Sequence, residues 1–271
     1  MPTPIEILLD PVSLAALGIY ATLMLWEALA PARALPQVRG WVARGLASFV
    51  VFFYLSSYLP LFWDQYLAEY QLFDLTGLGT IGGALVGLFL YELGAYWWHR
   101  SMHRYDALWR VFHQMHHSAE RLDTYGAFWF SPADMIGWTA LGSLTLVLVV
   151  GVTPEAATVF ILSTFFLSVF QHANVRTPRW VGYLIQRPEA HSVHHQKNLH
   201  YYNFSDFPVY DILFGTFRNP ATHADELGFY MGASTRVAEM LAFKDVSKPV
   251  RAGASRQTVA NDDNRSLPSA G

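Results

Sequence analysis

Apolar residues fall into five long runs, residues 11–30, 45–63, 75–98, 135–153 and 156–170, and most of the charge lies between them. Four of these runs are near the roughly 20 residues that an α-helix needs to cross a bilayer, and the fifth is somewhat shorter. The run 45–63 holds no charged residue, and 75–98 holds only Glu92. The last two runs are split by Thr153-Pro154-Glu155, a turn short enough to predict an antiparallel hairpin. Ser131-Pro132 ahead of the fourth run reads as an N-cap followed by a first-turn proline, with Asp134 in that turn. Two shorter helices are predicted outside the runs. One starts at Asp106, with Leu108, Trp109, Phe112 and Met115 as its apolar stripe, and the other opens at Pro188.

The polar segments alternate in charge. Arg33, Arg39 and Arg44 follow the first run, and the next connection has Asp64, Glu69 and Asp74 with no basic residue. Arg100, Arg104, Arg110 and Arg121 follow the third run, the hairpin turn has none, and Arg176, Arg179, Arg187 and Lys197 follow the fifth. Basic residues mark cytoplasmic loops, so the expected topology has the N-terminus outside and the C-terminus in the cytoplasm. The expected organisation is one membrane-embedded domain over residues 1–245 and a polar, disordered tail over 246–271.

Composition agrees with a chain solvated by lipid. Of 271 residues, 52% are hydrophobic and only 14% charged, against a usual charged share of about 25%. The mean hydropathy is +0.21. A net charge of −3 supplies no basic stripe for nucleic acid. The absence of cysteine excludes disulfides, zinc–thiolate sites and cysteine-held iron–sulfur clusters within this chain.

Nine of the eleven histidines sit in four clusters: His99-x3-His103, His113-x2-His116-His117, His172-x-Asn174 and His191-x2-His194-His195. Residues three or four apart share a helix face, so each multiple cluster can aim its rings at one point. By the charge alternation, every cluster falls on one side of the membrane, and that rule used no histidine. Nine imidazoles exceed what one ion of four to six ligands can use, and they suit two. Imidazole binds iron, zinc, copper and nickel, so the residue type leaves the metal open. A metal transporter is the competing class; it would place ionisable groups along the spans near the midplane. A zinc metalloprotease has little support, since no HExxH occurs.

Together HRSMH (99–103), HQMHH (113–117), QHAN (171–174), HSVHH (191–195) and the following YDILFGTFRNP (210–220) resemble the fatty acid hydroxylase/sterol desaturase superfamily of integral-membrane oxygenases, over roughly residues 91–220. The resemblance implies an all-α integral membrane fold, with about five transmembrane helices and a cytoplasmic helical cap that carries the histidines. It also implies two non-haem iron ions that use O2 and two electrons to hydroxylate an unactivated C–H bond of a lipid, or to desaturate it. His99, His103, His113, His116, His117, His172, His191, His194 and His195 match the family's ligand positions, and Asn174 matches an asparagine near its centre. Electrons are expected from a separate donor, a reductase, ferredoxin or cytochrome b5-like carrier, and a bacterial plasma membrane is the expected location. Acyl, sterol, ornithine-lipid, alkyl-lipid and carotenoid substrates all remain open.

Beyond these, His200 and Glu92 are candidates to contact the ligand imidazoles. Glu92 precedes His99 by seven residues on one helix face, and an ionisable group within a span is a functional candidate. Glu189, Asp206 and Asp211 could serve the same way or simply cap helices. Trp97, Trp98, Trp109, Phe128, Trp129 and Phe130 could line a substrate tunnel or form an interfacial belt.

Overall fold

A computed structural model describes residues 1–249 and is all-helical among them. Its elements are α1 (Pro4–Leu9), α2 (Pro11–Leu29), α3 (Trp41–Ala68) and α4 (Gly79–Arg104). An irregular α5 starts as Asp106–Leu108, widens into a π turn at Trp109–His113 and closes as Gln114–His117. Next come α6 (Pro132–Ser143), continued by π-helical Leu144–Val150, then α7 (Pro154–His172), α8 (Pro188–His194) and α9 (Pro208–Leu213).

Five helices are long and apolar enough to cross a membrane, as the five runs predict. Their ends differ from the hydropathy limits because caps and chemistry, not apolarity, terminate them. Ser131 Oγ accepts from Asp134 N at 3.1 Å, so α6 begins at Pro132. Thr153 Oγ1 accepts from Ala156 N at 3.2 Å and starts α7 at Pro154. At its other end α7 runs on to His172, and α4 runs past Trp98 to Arg104, so polar histidine-bearing turns extend both apolar rods.

α4 packs on α7, and small residues let the two backbones approach. A Cβ at Gly83 would lie 3.1 Å from the Ala156 Cβ, and one at Gly87 would lie 3.6 Å from the Phe160 ring. α3 passes close to the chain at Gly45, where a Cβ would sit 2.3 Å from the Tyr125 carbonyl oxygen, inside any tolerable contact.

The C-terminal ends of α2, α4 and α7 and the N-terminal ends of α3 and α6 share one end of the bundle. Glu27, near the end of α2, accepts from Thr124 N (2.8 Å) and Asn174 N (3.0 Å) and so ties two loops there. Ser48 donates to Phe128 O at 2.6 Å. At the opposite end, Leu72 and Phe73 N–H donate to the Leu148 and Val149 carbonyls. Between them lies an aromatic core of Tyr20, Phe49, Phe53, Phe128 and Phe170.

Val246, placed by composition at the start of a polar tail, is buried beside Trp41 and Met115. Residues 250–271 of that expected tail lie outside the described residues.

Candidate metal centre

All four histidine clusters converge at the end of the bundle just described. They form two groups, His99, His103, His113, His117 and His194 in one, and His116, His172, His191 and His195 in the other. Within each group, one nitrogen per ring lies within 4.8 Å of every other. Helical spacing explains the partition. The i, i+4 pairs His99/His103 and His113/His117 aim at the first group, and the pair His191/His195 aims at the second. The odd members cross over: His116 goes to the second group and His194 to the first, so α5 and α8 each serve both. The π turn at Trp109–His113 departs from the regular helix expected there, and such turns recur at functional sites.

Buried acceptors fix several rings. His99 Nδ1–H donates to Phe204 O (2.7 Å), His194 Nδ1–H to Tyr202 O (2.8 Å) and His172 Nδ1–H to Ser168 O (2.6 Å). His113 Nδ1–H donates to the Asp134 carboxylate at 3.0 Å. A neutral imidazole has one N–H, so each of these rings presents a bare Nε2 lone pair. Yet His99 Nε2 and His113 Nε2 lie 2.9 Å apart. Two lone pairs at that distance repel unless a cation faces both.

The same spacing recurs at His117–His194 (3.0 Å), His172–His191 (3.0 Å) and His116–His172 (3.1 Å). Two nitrogens each about 2.1 Å from one ion are separated by about 3.0 Å when they subtend about 90°. The donor set therefore fits two metal ions. Five nitrogens in the first group also exceed the four of a tetrahedral zinc site.

Electrostatics favours the same state. Burial, then the neighbouring imidazoles, holds His113, His116, His117, His191, His194 and His195 well below the ordinary histidine pKa. Neutral rings keep the lone pairs that metals need.

The other candidates take different places. His200 stands beside the first group, its ring 5.1 Å from His117 and 5.8 Å from His103. Glu92 touches no imidazole. Its Oε2 accepts from Ser205 Oγ and from Asp206 and Phe207 N–H, clamping the loop that presents the Phe204 carbonyl to His99. Asn174 also makes no histidine contact; its amide donates to Arg33 O at 2.8 Å. Glu189 pairs with Arg187 and accepts from Thr177, and Asp206 accepts from Gln171. Phe128 and Trp129 are core residues, whereas Phe130 reaches the site, with its ring 4.6 Å from that of His116.

Two residues carry more of the site than their sequence context suggests. Asp134 reads as a first-turn acid and instead bonds His113. Asp211 accepts from Phe204 N (2.8 Å), Ser205 N (3.0 Å) and Thr216 Oγ1 (2.6 Å), fixing the loop from below. The signal for Asp211 was its place in YDILFGTFRNP, close after the last histidine cluster.

The fatty acid hydroxylase family model matches residues 84–216. Over those residues the chain is similar to the fatty acid hydroxylase family. That match takes in all nine clustered histidines. The chain is 32% identical over 170 residues to the ornithine lipid hydroxylase OlsE of Rhizobium tropici, covering 60% of this chain and 47% of the relative. It is 26% identical over 145 residues to sphinganine C4-monooxygenase 1 of Arabidopsis thaliana, covering 52% and 56%. A Delta(7)-sterol-C5(6)-desaturase of Nicotiana tabacum is 26% identical over 154 residues, 54% of each chain. The chain thus spans about half the length of the curated relatives it matches. No solved structure shows significant similarity to it.

Proposed function

We propose that this protein hydroxylates an unactivated C–H bond of a membrane lipid, using O2, two electrons and two iron ions held by the nine histidines. One observation carries the reading: the His99 and His113 lone pairs, locked by Phe204 O and Asp134, face each other at 2.9 Å within a five-nitrogen group. His99, His103, His113, His117 and His194 would hold one iron, and His116, His172, His191 and His195 the other. When bound, the irons supply the activation of O2, which no side chain here can perform.

The chain's own work is orientation and exclusion. Phe204 O, Tyr202 O, Ser168 O and Asp134 hold ring planes and tautomers before any ion arrives. All-imidazole ligation adds no negative charge, so bound ions stay electrophilic. Phe130 against His116 and Trp138 against His99, ring centroids 4.6 and 5.7 Å away, give the centre apolar neighbours that exclude water and suit a hydrocarbon chain.

Desaturation on the same centre is the second reading, favoured by the likeness to a sterol desaturase. Abstraction of a second hydrogen in place of oxygen insertion gives an alkene, and substrate placement decides between them. Transport is disfavoured, because the histidines gather at one end of the spans instead of lining a path between them.

We further place residues 1–245 as one membrane-embedded unit in a bacterial plasma membrane, with the N-terminus outside and the histidines on the cytoplasmic side. Arg33, Arg100, Arg104, Arg176 and Arg187 at the histidine end support that orientation. Electrons would arrive there from a separate reductase, ferredoxin or cytochrome b5-like carrier. The test is a lipid profile of cells with and without the chain. A lipid gaining one oxygen atom, dependent on the chain, supports hydroxylation; a lipid losing two hydrogens supports desaturation; an unchanged profile with active expression contradicts both.

A further inference from the structure

A second polar cluster, built mostly of arginines, lies at the same end of the bundle and has no part in the chemistry above. Arg33 stands four residues past the end of α2, and Arg176 four residues past the end of α7, two helices that pack together. They share a backbone scaffold. Arg176 Nε and Nη2 both donate to Ala32 O at 3.3 Å. Ala32 N donates to Asn174 O at 2.8 Å, and the Asn174 amide donates to Arg33 O. On the far side, Arg33 Nη1 donates to the carbonyl of Ala224, whose N–H donates to Ser192 Oγ at 2.8 Å.

These contacts orient Arg33 and leave its Nε and Nη2 buried without a hydrogen-bond partner among the described residues. Those two atoms form the guanidinium edge that grips two oxygens of a phosphate or carboxylate at once. His223 Nε2, one residue from the Arg33-bound carbonyl, is likewise buried and unpartnered. Among the described residues no carboxylate lies within ion-pair distance of Arg33, and Asp225, which acts on its charge from farther off, leaves the guanidinium edge unbonded. Glu189, in the same cluster, is committed to Arg187 and Thr177. Burial, then the charge of Arg33, with Arg187 and Arg176 adding to it and Glu189 opposing, pushes His223 down to about 4.

We propose that Arg33, with Arg176 and His223 beside it, binds the oxyanion of an anionic lipid headgroup. Position argues for a lipid over free phosphate. Both arginines lie about one helical turn beyond the ends of apolar spans, the depth at which basic side chains meet anionic headgroups. The site also adjoins the second histidine group, since Asn174 is two residues from His172 and Ser192 follows His191. The inference rests on the spans being in a bilayer and needs no oxygen chemistry.

The test is thermal stability of the full chain in detergent with short-chain phosphatidylglycerol, short-chain phosphatidylcholine, inorganic phosphate or chloride at equal ionic strength. Phosphatidylglycerol at tenfold its dissociation constant is expected to raise Tm by about 3 °C. Arg33→Gln should lose that rise and Arg33→Lys keep part of it, both with wild-type metal content, which shows that the metal centre has folded. An equal rise in Arg33→Gln, or none in wild type with any phosphate, overturns the site. A rise with inorganic phosphate alone overturns its assignment to a lipid.

Discussion

His113 donates through Nδ1 to the Asp134 carboxylate at 3.0 Å, which turns its Nε2 toward the Nε2 of His99 at 2.9 Å. A helix-opening acid on α6 thereby sets where the free nitrogen of a ring on α5 points. Asp134→Asn keeps the size of the side chain but weakens the acceptor and can reverse the tautomer. Metal affinity at the first group should fall about 10–100-fold, measured by competition with a chelator, while the second group keeps its metal.

The two groups should be separable. His194→Ala removes a nitrogen from the first group, and His191→Ala removes one from the second. Each variant is expected to retain close to one ion per chain and to lose turnover more than about 100-fold, since ligands matter more than the groups behind them. Metal analysis beside lipid turnover checks this. Full turnover in His194→Ala would show that the assignment of that ring is wrong.

Asp211 acts through the loop, so its loss should be felt in stability first. Asp211→Ala leaves the Phe204 and Ser205 N–H groups buried and unbonded, at about 1–3 kcal/mol. Tm should drop by several degrees, on the order of 2–4 °C per kcal/mol. His99 also loses the fixed Phe204 carbonyl, so metal affinity should weaken in parallel. A variant with wild-type Tm would remove Asp211 from this account.

The five long helices can be read from the chain, because apolar run length is a one-dimensional signal. Histidine spacing likewise announces rings that converge in groups able to hold a metal. What spacing alone leaves open is the partition. A regular helix over 106–118 spreads His113, His116 and His117 over one arc, whereas the fold sends His116 to the other group from His113 and His117. Glu92 shares a helix face with His99 and still bonds the 205–207 loop, accepting from Ser205 Oγ and from the Asp206 and Phe207 N–H groups. Asp134 and Asp211 look like ordinary caps until the chain is folded, since their partners lie on other elements.

His223 gives a pH signature. Its folded pKa of about 4, lowered by burial and by Arg33, Arg187 and Arg176 against Glu189, lies below the ordinary value of 6.5. The unfolded chain therefore binds this proton first as pH falls. The stability associated with a neutral His223 is present above pH about 6.5 and is lost between there and about 4. His223→Gln should unfold with a shallower pH dependence in that window, measured as Tm against pH. Identical slopes would contradict the burial of this ring.

The most direct measurement is metal content of the purified chain in its native membrane lipid, by elemental analysis. The account predicts about two irons per chain, falling to about one in either His194→Ala or His191→Ala. A chain that binds no metal, or a single ion lost equally in both variants, would contradict the convergence of nine imidazoles on two adjacent sites.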